Sequence, residues 1–168
     1  MAYPTVSAPY GFKPINRQDG MPYAGATTQY GITSVSTAIY NGDLVYITGG
    51  TISKSGVTSN AISTGNLTAG VFMGCQYVNT QGQTVQAQYF PGNASASSAI
   101  AYVVDDSMAA FKVAITYSGN TTITTANASV VGINLALRQG TGSTTTGDSA
   151  VSVVAPASGL GNATTLPV

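Results

Sequence analysis

A chain of 168 residues has the length of one compact domain, and here five lysines and arginines offset five aspartates to a formal net charge of zero. Charged side chains make up 6% of it, with no histidine, glutamate or tryptophan; an average soluble domain has roughly 25%. Zero net charge offers no electrostatic case for nucleic acid or an anionic membrane. The scarcity of acids and bases argues against an enzyme, and the single cysteine, Cys75, supports neither a disulfide framework nor a zinc site. Ser, Thr, Asn and Gln carry the polarity instead, which suits a structural or binding protein.

In residues 1–34, Pro4, Pro9, Pro14 and Pro22 alternate with Tyr3, Tyr10, Phe12, Tyr23 and Tyr30, without a helix or strand period. Proline fixes its own φ and restricts the residue before it, so the segment reads as an extended arm. Five aromatics on an arm need cover, from the parent domain or from a neighbouring subunit. Lys13 and Arg17 are its only basic residues; they are either solvated or paired with an acidic partner. The chain opens without a basic stretch followed by an apolar one, so synthesis in a cytoplasm without a secretory leader is expected. The longest apolar run, residues 99–104, falls far short of the ~20 residues that cross a bilayer.

A β pattern begins near residue 35. Residues 44–48 form a strand between the turn dipeptides Asn41-Gly42 and Gly49-Gly50. Over 71–77, Val71, Met73, Cys75 and Tyr77 share one face. Over 84–90, Val85, Ala87 and Tyr89 oppose Thr84, Gln86 and Gln88, the period of a half-buried strand, with 79–83 as the hairpin loop. Residues 99–104 are apolar throughout and read as a central strand. A single helical turn is expected at 107–110, then a strand over 111–117 with Phe111, Val113, Ile115 and Tyr117 inward.

Val131, Ile133, Leu135 and Leu137 form a further inward face, 139–148 is an exposed Gly/Thr loop, and Val151 and Val153 mark a last strand. No window carries a sustained helical stripe. Short strands between Gly-rich turns predict an all-β protein, a compact β-barrel or sandwich over 35–157, with the N-terminal arm before it and a C-terminal tail over 158–168.

The search for chemistry assigns nothing. Gly147-Asp148-Ser149 has the form of a protease nucleophile segment, but no histidine exists to act as base. Gly142 and Gly147 have P-loop spacing, with Asp148 where the phosphate-binding lysine belongs. Asp105 and Asp106 are adjacent, so a strand points them to opposite faces; they end a strand and face solvent or a partner's amides. Five aspartates are few for a calcium site. Cys75 sits in an apolar strand as an inert thiol. No catalytic, cofactor or metal residue is assigned.

Six segments carry a likeness. Tyr10-Gly11-Phe12-Lys13-Pro14, Tyr23-Ala24-Gly25-Ala26-Thr27 and Tyr40-Asn41-Gly42-Asp43-Leu44-Val45 are three of them. Gly70-Val71-Phe72-Met73-Gly74-Cys75, Gln88-Tyr89-Phe90-Pro91 and Ala101-Tyr102-Val103-Val104-Asp105-Asp106 complete the set. Together they resemble the head decoration (cement) proteins of tailed bacteriophages, short-tailed phages especially.

The resemblance implies a virion structural protein on the capsid exterior, a homotrimer that clamps neighbouring subunits of the major capsid protein. It also implies a small tulip-like decoration barrel, with a jelly roll as the alternative. Within that reading Tyr3, Tyr10, Phe12, Tyr23 and Tyr30 anchor the arm to its partner, beside Lys13 and Arg17. Removal of residues 1–34 is then expected to abolish shell binding and leave a folded core. The alternatives are a tail or fibre-associated component, or a carbohydrate-binding, adhesin-like β module.

Overall fold

Strand β5 organises the fold, because it pairs along its length with three other strands. The structure is a computed structural model and describes residues 9–32, 37–55, 68–92, 98–116, 131–132 and 135–154. Among these residues there are eleven strands and no helix. In order they are β1 (Lys13–Arg17), β2 (Thr28–Ile32), β3 (Leu44–Thr48), β4 (Thr51–Lys54), β5 (Thr68–Val78) and β6 (Thr84–Ala87). Then follow β7 (Ile100–Val104), β8 (Ala109–Lys112), β9 (Ile115–Thr116), β10 (Ala136–Arg138) and β11 (Ser152–Val154).

The largest sheet runs β3-β4-β2-β7-β5-β6, and an added β3–β5 pairing closes its first five strands into a barrel. The first residues of β5 take β3, with Leu44 opposite Val71, and its last take β6, with Val78 opposite Thr84. Its other edge takes β7, where the register shifts between Phe72 and Gly74. Such a bulge bends a strand and is how small barrels turn their corners. All barrel pairings are antiparallel except β2–β4. The hairpin between β5 and β6 forms at the expected loop: the Asn79 N–H donates to the Gln83 carbonyl (2.9 Å), and the Asn79 carboxamide accepts from the Gln81 and Gln83 N–H groups.

Side chains fill the barrel. Ile32, Ile39, Val45, Ile52, Phe72 and Val103 are buried there with Cys75, Phe90, Ala99 and Ala101. Tyr77 meets Phe90 edge to face, 5.9 Å between ring centres. A second core lies outside the barrel wall: Leu44, Val71 and Val151, with Phe12, Met73, Phe111 and Leu137 packed on them. Neighbouring residues in a strand point to opposite faces. Val45 and Phe72 therefore enter the barrel while Leu44 and Val71 enter the outer core. Burial on both faces explains why β3 and β5 read as continuous apolar runs at these points.

Two smaller sheets cover that outer core. One is the antiparallel β1–β8 ribbon. The other has the order β10-β11-β9, with β9 and β11 parallel.

The expected arm over 1–34 does not hold for its described part. Residues 13–17 are β1, and 28–32 are β2, a barrel strand hydrogen-bonded to both β4 and β7. The boundary at 34–35 thus divides the barrel. The strands were hidden because they lack alternation: β2 buries Ile32 alone, half-buries Tyr30 and exposes the rest, and β1 shifts register just after Pro14.

Other differences are local. Residues 107–108 form a turn that leads straight into β8, with no helical turn. The strand expected at 111–117 breaks at Val113 and Ala114, so Thr116 is fully buried instead of facing out. Val131 is 80% exposed and faces outward. Tyr3, Tyr117, Ile133 and the tail over 158–168 lie outside the described residues.

Candidate functional site

The polar centre of the molecule is the turn Tyr40-Asn41-Gly42-Asp43 that leads into β3. Asp43 is fully buried. Its carboxylate accepts from the Tyr40 N–H (2.9 Å), the Ser149 hydroxyl (2.5 Å) and the Gln139 amide (2.9 Å), and pairs with Lys54 Nζ at 2.9 Å. Full satisfaction is what permits a buried charge. The Lys54 ammonium also lies 5.2 Å from the centre of the Tyr40 ring, which stacks on Tyr89 at 5.5 Å.

Beside it, Lys13 Nζ bonds Asn41 Oδ1 (2.5 Å) and Asp148 Oδ1 (2.7 Å), and the Asn41 amide donates to the Met73 carbonyl (2.6 Å). The loop 139–148 is exposed at Thr141 and over 143–146, as expected, but its ends are tied down here through Gln139, Asp148 and a buried Gly147. Gly147-Asp148-Ser149 therefore serves as an internal clasp. Asp43 escaped the sequence reading as a functional residue because a single Asp after Asn-Gly looks like ordinary turn chemistry.

Two glycines make that junction possible. Gly11 (φ 76°) and Gly42 (φ 92°) cross so closely that a Cβ on Gly42 would lie 2.8 Å from the Phe12 nitrogen. The Phe12 N–H donates to the Gly42 carbonyl at 3.0 Å. The N-terminal segment is welded to the barrel by backbone contact.

A cleft of about 310 Å³ opens between the β1–β8 ribbon and the barrel wall. Phe12 and Phe111, edge to face at 5.9 Å, form the ribbon side, and Leu44, Val71 and Val104 the barrel side. Asp105, Asp106 and Ser107, just past the end of β7, supply its polar part. Asp105 accepts from the Thr28 hydroxyl (2.9 Å) and the Tyr30 phenol (2.8 Å). Asp106 lies 3.1 Å from Arg17 Nε and accepts from the Met108 N–H at 2.9 Å. The two acids do end a strand, and hydroxyls, a guanidinium and one backbone N–H occupy them.

Of the residues expected to reach a partner, the six described ones make contacts within the chain. Tyr10 lies under Lys112 Nζ (5.8 Å), and Phe12 packs on Phe111. The Tyr23 phenol donates to the Ala26 carbonyl (2.7 Å). Tyr30 packs on the barrel core and donates to Asp105. Lys13 pairs with Asp148, and Arg17 with Asp106 and, at 3.7 Å, Asp19.

The phenols respond to this setting. Desolvation raises the Tyr23 pKa, with the Asp105 and Asp106 charges adding to it. The hydrogen bond to Asp105 raises that of Tyr30, followed by desolvation and the Asp105 charge.

The sequence reading did not single out the apolar surface that remains open. Ile15 is 51% exposed, Met21 58% and Met108 39%. The ribbon draws them together: Arg17 N–H donates to the Met21 carbonyl and Gln18 N–H to the Met108 carbonyl, both at 2.8 Å, while Tyr23 N–H donates to the Ile15 carbonyl at 3.4 Å.

Among the described residues no group of three or more His, Cys, Asp or Glu is placed to hold a metal ion, and no helix is long and apolar enough to cross a membrane. The chain matches no protein-family model, no curated protein and no solved structure.

Proposed function

We propose that the chain is a structural protein of a virion. In this reading it binds the exterior of a phage shell and cements contacts between major capsid subunits, as a homotrimer. The observation that carries a binding role is the division of the surface. Among the described residues most charged side chains are held in an internal ion pair, at Asp43, Lys54, Lys13, Asp148, Arg17 and Asp106. Among the described residues the open apolar features include the cleft and the Ile15, Met21 and Met108 end of the ribbon. Flexible, polarizable methionine suits a contact surface that must adapt to a partner. The choice of a capsid as partner comes from the resemblance of the six segments.

The reading assigns no catalytic step, and it moves the contact from an aromatic arm to the ribbon. Co-sedimentation of the purified chain with expanded heads that lack it tests the proposal. Saturable binding at a fixed ratio to major capsid subunits is expected. A chain left wholly in the supernatant would overturn the capsid role and favour a tail component or a carbohydrate-binding module.

A further inference from the structure

We propose that the cleft between ribbon and barrel is a socket for an extended partner segment. That segment inserts one aliphatic or aromatic side chain and lays an adjacent lysine or arginine against Asp105. The partner's identity as a capsid subunit rests on the reading above; the socket itself does not.

Volume and lining fix the first half. About 310 Å³ is at the small end of binding pockets. Phe12, Leu44, Val71, Val104 and Phe111 offer a single anchor an apolar wall. Gly70 and Ala69 keep the barrel side low, with no side chain beyond a methyl group. A Cβ on Gly70 would sit 2.4 Å from the Val104 carbonyl oxygen, so the close approach of β5 to β7 that shapes this wall requires glycine.

Charge complementarity fixes the second half. Ion pairs join Asp43 to Lys54, Asp148 to Lys13, and both Asp19 and Asp106 to Arg17. Asp105 is held by two hydroxyls. At this end of the ribbon the Arg17 guanidinium pairs with Asp19 and Asp106 while Asp105 takes the two hydroxyls, and Lys112 sits at the far end over Tyr10. The Thr28 and Tyr30 hydroxyls fix the Asp105 carboxylate before any partner arrives, which lowers the ordering cost of binding. An incoming cation meets an oriented, uncompensated charge beside an apolar hole.

The test is an NMR titration of the full chain with N-acetyl-leucyl-arginine amide, with the leucyl-glutamate and glycyl-arginine amides as controls. Saturable shifts of the Leu44, Val71 and Val104 methyl groups are expected with the first probe, and weaker ones with either control. Asp105→Asn should weaken the first probe roughly two- to fivefold, the range an exposed ion pair supports, and leave the leucyl-glutamate response unchanged or stronger. No shift at those methyls, or equal binding of all three probes, overturns the socket.

Two results would assign another occupant and also overturn it. One is contact of the chain's own residues with the Val71 and Val104 methyls in the unliganded protein; the other is self-association that Ala69→Phe abolishes. Head binding separates the two proposals. If the unaltered chain binds heads but the Leu44, Val71 and Val104 methyls do not respond to the dipeptide, the socket fails and the cement role stands. If the unaltered chain does not bind heads but the dipeptide titrates, the reverse holds.

Discussion

Asp43 shows at the scale of one residue why so few charges suffice. Its carboxylate joins β3 to the end of β4 through Lys54, and to the 139–149 segment through Gln139 and Ser149. Replacing it by alanine strands a mostly buried ammonium and several donors, and breaking a buried pair from one side costs about 3–5 kcal/mol. Urea unfolding of Asp43→Ala should register a loss of that size, with Asp43→Asn milder because the carboxamide keeps an acceptor; an unchanged midpoint would remove the hub from the fold's support. Cys75 makes a second case. Burial pushes its thiol from an ordinary 9.0 up to about 12, so thiol reagents at pH 8 should label it only after denaturant is added. Because the folded pKa is the higher one, the neutral thiol's contribution is complete below about pH 9 and is lost as pH rises toward 12. A stability curve flat across that alkaline range would contradict the assignment.

At the scale of elements, β2 decides whether the N-terminal segment is separable. It lies between β4 and β7, with Ile32 in the barrel core. Deletion of residues 1–34 is therefore expected to open the barrel and abolish cooperative unfolding; a truncated chain with native circular dichroism and a sharp transition would return those residues to the status of an arm. The ribbon gives a complementary expectation. Met21→Asp with Met108→Asp places charge on exposed positions, so stability should change by no more than about 0.5 kcal/mol while head binding falls. The all-β class, β3, β5 to β7, the 79–83 hairpin and β11 were legible as elements because β-branched and aromatic runs stood between Gly and Asn turns. The bulge between Phe72 and Gly74 nevertheless divides the face expected for β5, sending Val71 and Met73 to the outer core and Cys75 and Tyr77 to the barrel. What stayed hidden was non-local. Ile32 and Ile39 are core residues in stretches without period, and Phe90 is buried on the parity of the polar positions of its run, each covered by partners far away in sequence. The cleft likewise joins Phe12, Val71, Val104 and Phe111, and no local pattern announces that meeting.

At the scale of the whole molecule, a barrel of short strands is braced by a second core outside its wall, and charge is spent inward. A contact surface built from Ile15, Met21, Met108 and the cleft has one ion pair at most to screen. Head binding should accordingly change by less than about tenfold between low and physiological salt. A steep loss with salt, read by co-sedimentation, would point to an electrostatic interface that these surfaces do not offer. Cementing demands more than attachment, since bound chains must hold neighbouring subunits together. The most direct measurement is survival of expanded heads under heat, with and without saturating chain, counted by electron microscopy. Shells carrying the chain are expected to stay closed at temperatures that rupture bare ones. Equal rupture of both populations, with the chain demonstrably bound, would contradict a cementing role.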